Sequence, residues 1–106
     1  MDVKMRTIGK TAKIASSSSQ TILAEPSNVG DTYLIYNVFH HGSNGIVTFE
    51  AFKTDEDDIV MFRLPGEDSN NSQILNCTVP FEWPPGYGMK CNDSNGGTVV
   101  YQMLKG

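Results

Sequence analysis

Apolar and polar residues alternate along most of this chain, and that period of two constrains the fold more than any other feature. In residues 46–52, Val47, Phe49 and Ala51 fall on one face and Thr48 and Glu50 on the other, as in a strand with one buried face. Residues 33–39 are apolar at nearly every position, the pattern of a strand covered on both faces. His40-His41-Gly42-Ser43-Asn44-Gly45 separates the two runs as a turn cluster, so they are predicted to form an antiparallel pair. Thr54 to Asp58 breaks the chain again, and residues 59–64 run as a strand into the turn dipeptide Pro65-Gly66.

After a polar loop from Glu67 to Ser72, Leu75, Cys77, Val79 and Phe81 share one face of a strand. Tyr87, Met89 and Cys91 share a face of a short one, and residues 98–104 form the last. Asn92 to Gly97 reads as a hairpin turn between them. Pro84-Pro85-Gly86 ends one strand and starts another, because proline cannot donate to a ladder. Upstream, residues 12–15 and 21–24 are short strands flanking the serines 16–19. No helical stripe of useful length competes with this pattern. Eight or nine short strands with turns every ~8–12 residues predict an all-β sandwich or barrel. Uneven connections such as residues 65–73 favour a jelly-roll β-sandwich of about eight antiparallel strands.

A chain of 106 residues is one domain, and 39% hydrophobic content is globular rather than disordered. No apolar run approaches the ~20 residues of a membrane helix, and no apolar stretch follows the basic start, so no secretory signal is expected. The charge is divided. Lys4, Arg6, Lys10 and Lys13 oppose only Asp2 in the first 13 residues, a net of +3, while the remainder carries −7. An acidic body argues against nucleic acid, whose phosphates need a basic face. The chain is therefore divided into an N-terminal arm, 1–19, and a sandwich domain, 20–106. The basic arm either reaches an acidic partner or is an ordinary solvated first strand.

Little in the sequence points to catalysis. His40-His41 are adjacent, so on a strand their rings diverge, and the spacings of a zinc site are absent. Asp55-Glu56-Asp57-Asp58 has the charge of a calcium loop, but Val60 and Gly66 stand where an EF-hand needs glycine and glutamate. Neither a Gly-x-Ser-x-Gly elbow nor a phosphate-binding loop occurs. The reading is a non-enzyme with no metal and no cofactor. Cys77 and Cys91 are expected as reduced, buried thiols. The sequons at Asn70, Asn76 and Asn92 are read as turn chemistry. Trp83 and Tyr87 make either an aromatic platform for a sugar or protein or the packing of a sheet corner.

The stretch ILNCTVPFEWPPGYGMKCNDSNGGTVVYQML, with GDTYLIYNVFHHGSNGIVTFEAF before it, resembles the closing and central patterns of small jelly-roll virion proteins of tailed bacteriophages. The resemblance covers about residues 20–104 and is one of rhythm. By size it is most similar to capsid decoration, or cement, proteins. That resemblance implies a homotrimer on the outer capsid surface of a virion, made in the bacterial host cytoplasm and bound to the major capsid protein. It implies no catalytic residue, no nucleic acid and no membrane. The candidate partner-binding residues are Lys4, Arg6, Lys10 and Lys13 of the arm, with Trp83 and Tyr87. The alternative is a tail-associated receptor- or carbohydrate-binding β-sandwich module that uses Trp83 and Tyr87.

Overall fold

The structure, a computed structural model, describes residues 13–66 and 74–106, with the side chains of 74–78 left aside. The described residues contain eight strands and no helix: β1 (Lys13–Ser17), β2 (Thr21–Leu23), β3 (Thr32–His40), β4 (Val47–Phe52), β5 (Ile59–Leu64), β6 (Ile74–Glu82), β7 (Gly88–Cys91) and β8 (Gly97–Leu104). They form two four-stranded antiparallel sheets. The first has the order β1-β8-β3-β6 and the second β2-β7-β4-β5. The molecule is a β-sandwich, one of the two architectures that the alternation left open.

The inner rows of both sheets form one core. Ile35, Val38 and Val99 from the first sheet meet Val47, Phe49, Ala51, Met89 and Cys91 from the second. Phe49 stacks on Phe62, its cross-strand neighbour, with ring centroids 4.9 Å apart. Fully burying a side chain of this size contributes about 1.5–3 kcal/mol, so each of these residues adds a sizeable share of the driving force. β4 shows the plainest case of sequence dictating orientation. Its residues alternate strictly between buried and half-buried, with Val47, Phe49 and Ala51 inside.

The pairing differs from the sequence expectation in two places. Residues 33–39 and 46–52 do not pair: β3 lies between β8 and β6, and β4 between β7 and β5. Likewise the turn at 92–97 is no hairpin, since β7 and β8 belong to different sheets. Of the seven connections, only β4–β5 joins hydrogen-bonded neighbours, and the other six carry the chain across to the opposite sheet. A turn signal specifies that the chain reverses, and leaves open whether the returning strand pairs or stacks.

The first strand bears on the expected arm. β1 pairs along its whole length with β8, from Lys13 opposite Tyr101 to Ser17 opposite Gly97. Residues 13–17 of the expected 1–19 arm are thus a sheet strand, and residues 1–12 lie outside the described residues.

β3 carries a bulge. Its register jumps from Ile35 opposite Tyr101 to Asn37 opposite Val100, leaving Tyr36 as the extra residue. On its other side the register jumps from Phe81 to Asn76, and Pro80 falls in the gap. A residue without an N–H is tolerated there because β6 is an edge strand.

Candidate functional site

The corner after β6 is the most heavily tied stretch of aromatic sequence. Trp83 donates its backbone N–H to Tyr33 O at 2.8 Å, which anchors the corner to β3. Its side chain is 0% exposed. The indole Nε1–H donates to Gly88 O at 2.8 Å, so the buried polar group is satisfied. Phe62 of β5 and Phe81 of β6 meet the ring edge-on, at 6.3 and 6.1 Å between centroids. One indole therefore joins strands of both sheets. Gly86 completes the turn at φ +79°, donating its N–H to Asp31 O, and a Cβ there would stand 2.9 Å from Val29 O.

These observations decide how Trp83 is read. An indole without exposed surface offers nothing to a partner, so packing replaces the expected partner contact at this residue. Tyr87 is half-buried, packs on the core, and lies 5.6 Å beneath the Lys53 ammonium. The two residues do not form a joint aromatic platform. Lys13 is exposed on the edge strand β1, while Lys4, Arg6 and Lys10 lie outside the described residues.

The two histidines diverge, and each has its tautomer set by its neighbours. His40 points into the core and is 0% exposed. Its Nδ1 accepts the Gly42 N–H at 3.0 Å, so Nε2 carries the proton and donates to Pro65 O at 3.1 Å. His41 points outward. Its Nδ1 faces Asn95 O at 3.0 Å and must donate, leaving Nε2 to accept the Thr98 hydroxyl at 2.8 Å. Thr98 is in turn 2.8 Å from the Ser16 hydroxyl. Adjacent imidazoles thus hold opposite tautomers, and both tie turns to strands.

No three His, Cys, Asp or Glu side chains converge among the described residues. Cys91 is a buried free thiol whose pKa burial pushes up, and its Sγ–H donates to Asp93 O. The Cys77 side chain lies outside the described residues. Of the three sequons, Asn92 serves the fold. Its Oδ1 accepts from Thr48 N and its Nδ2 donates to Ile46 O, pinning the start of β4.

The outer faces of the sheets differ in a way no motif announces. On the second sheet, Glu50 and Lys90 are cross-strand partners, Arg63 lies opposite Thr48, and Lys90 Nζ meets Asp58 Oδ2 at 2.5 Å. That contact raises the Lys90 pKa. On the first sheet, Ile14 lies opposite Val100, Ser16 opposite Thr98, and Leu34 opposite Gln102. Phe39 and Leu104 continue the row, and Tyr36 donates its hydroxyl to Gln102 Oε1 at 2.6 Å. Glu82, on the edge strand β6, is the one carboxylate or ammonium in that outer register among the described side chains. Sequence reasoning marked only the doubly apolar run 33–39 of this surface, because pairing alone brings the rest of its residues together.

Scans of protein-family models, curated proteins and solved structures find no match for this chain.

Proposed function

We propose that this chain is a capsid decoration, or cement, protein of a phage virion: a non-enzymatic homotrimer that binds the major capsid protein at the outer shell and stabilises it. The observation that carries the reading is the strand order. The ladders β1·β8, β2·β7, β3·β6 and β4·β5 are those of one long ribbon folded at the β4–β5 turn, with successive pairs falling in alternate sheets. That pattern supports a jelly roll, the architecture of the virion proteins the sequence resembles. The polar side chains support it in a second way. His40, Asn92, Asp31 and Glu25 are spent on closing turns, as in a protein whose work is to present surface.

Binding in this reading comes from area and repetition. A standard interface needs ~800 Å² from each partner, and a lattice of identical sites multiplies weak contacts through avidity. The basic residues Lys4, Arg6, Lys10 and Lys13 would add attraction to an acidic capsid surface. The tail-associated receptor- or carbohydrate-binding module rests on a Trp83–Tyr87 platform, and the buried indole weighs against it.

The test is co-expression with the major capsid protein of the same genome, followed by sedimentation of assembled shells. Co-sedimentation at stoichiometric occupancy is expected, together with a higher shell melting temperature. Removal of residues 1–10 should weaken that binding and leave the melting temperature of the free chain nearly unchanged. A chain that stays in the supernatant at every concentration would end the proposal.

A further inference from the structure

We propose that the outer face of the β1-β8-β3-β6 sheet is the surface through which copies of this chain associate. The inference rests on the self-assembly part of the reading above and names the surface that part leaves unspecified.

The first ground is the pattern of the central strands. An antiparallel sheet with one solvated face alternates apolar-in with polar-out, and β4 does so with Thr48 and Glu50 outward. β3 and β8 do not. Their inward rows, including Ile35, Val38 and Val99, already fill the core. Their outward rows nevertheless hold Leu34, Phe39, Val100 and Leu104, which lie outside that core. Ile14 extends the apolar row onto the edge strand β1 and is 73% exposed. The doubly apolar β3 has its inward row in the core, and on its outward side Tyr36 is buried while Leu34 and Phe39 are only half-buried, which leaves apolar surface for a partner to cover.

The second ground is charge, and it selects the occupant. Each copy carries a net −4, so two copies repel unless they meet where the acids are not. Among the described residues the acids lie mostly elsewhere: at Asp55 to Asp58 in the β4–β5 loop, at Glu50 on the other sheet, at Asp93 in the β7–β8 turn, and at Glu25 and Asp31 near one end. Among the described side chains, the outer face of the first sheet keeps only Glu82, at its rim. Its polar members Ser16, Asn37, Thr98 and Gln102 are neutral, so they add no like charge to a contact between copies. A strongly basic partner would be drawn to the acidic loop instead. A second copy of this chain is therefore the partner that this face fits best.

The extent of the face sets the strength. Four strands ~4.8 Å apart and about eight residues long cover roughly 500 Å² in plan, below the ~800 Å² per partner of a standard stable interface. Association should therefore depend on concentration across the micromolar range.

Sedimentation velocity of the purified chain, from low micromolar to near-millimolar concentration, tests this. The wild type should form a concentration-dependent oligomer, and the same runs give its copy number. Val100→Lys plants a charge in the middle of the face and should weaken association at least about tenfold. Ile14→Lys alters a side chain already in water, so it keeps the test alive if Val100→Lys does not fold. Val60→Lys is the control. It replaces an apolar residue, 47% exposed, on the outer face of the opposite sheet, where it pairs with Glu50. It should leave association unchanged. An oligomer that survives Val100→Lys and Ile14→Lys, or is lost in Val60→Lys, overturns the inference and leaves the decoration reading standing. A wild-type chain that is monomeric throughout overturns it too, and shell co-sedimentation then decides the decoration reading separately.

Discussion

The two ends of the sandwich are closed by different chemistry. At the end that holds the β2–β3 and β4–β5 loops and the Trp83 corner, carboxylates do the tying. Asp31 accepts the Gly106 N–H on one oxygen and the Lys105 ammonium on the other. Glu25 takes both the backbone N–H and the hydroxyl of Thr54. At the opposite end neutral groups do the same work. His40 holds Pro65, His41 and Asn95 link the β3–β4 and β7–β8 turns, and Asn92 pins β4. Gly96, at φ +76°, brings its turn so close to β1 that a Cβ would lie 2.0 Å from Ser17 O. Any polar group that fills the unpaired donors of a turn will close it. The choice of group then decides which conditions open it.

Four expected outcomes break or sharpen this comparison. The largest is at the corner: Trp83→Ala should cost about 3–5 kcal/mol, since the indole is fully buried and its space cannot collapse between two sheets. Urea denaturation measures it, and a loss under ~1 kcal/mol would mean that the carboxylates alone hold that end. At the neutral end, His40→Ala strands the buried Gly42 N–H and the part-buried Pro65 carbonyl and should cost about 2–3 kcal/mol. His41→Ala, on the partly exposed neighbour, should cost under about 1 kcal/mol. Equal losses from the two histidines would refute their division into inward and outward roles.

The third outcome is the pH dependence of the charged end. The Gly106 N–H, with Lys105 and Asn28, holds the Asp31 carboxyl below the ordinary carboxylate value. A lowered folded pKa stabilises the fold above the unfolded value, near 3.9 for Asp, and that contribution is lost as pH falls through the folded value. The melting temperature should therefore drop as pH falls from about 5 toward 2. Asp31→Asn should flatten that slope, whereas Asn92→Ala should lower stability equally at every pH. The smallest effect is Lys53→Met, which removes the cation over Tyr87 at a partly exposed site and should cost roughly 0.5–1 kcal/mol in the same denaturation.

Much of the strand layout could be read before any pairing was known. Met89 and Cys91 face inward as their spacing required, and Pro84-Pro85-Gly86 separates β6 from β7. Trp83 was legible only as a choice between platform and packing, because a lone aromatic beside prolines suits either. Of the candidate self-association face only the doubly apolar run 33–39 was legible. Ile14 and Val100 stand 86 positions apart and become neighbours only through the β1·β8 ladder.

The sequence by itself determined roughly where the strands lie and, on β4 and β7, which residues point inward; β1 runs on into the serines at 16 and 17, and on β6 Val79 is 77% exposed. Those properties are local: they follow from the two-residue repeat of an extended chain and from the conformational limits of Pro, Gly and Asn. The tertiary structure alone decided partners. Whether the chain, after turning at 41–46 or 92–96, pairs with the strand it has left or crosses to the other sheet costs the turn much the same. The choice is settled by which arrangement buries all the inward rows against one another and gives every backbone donor an acceptor, a condition that involves the whole chain at once.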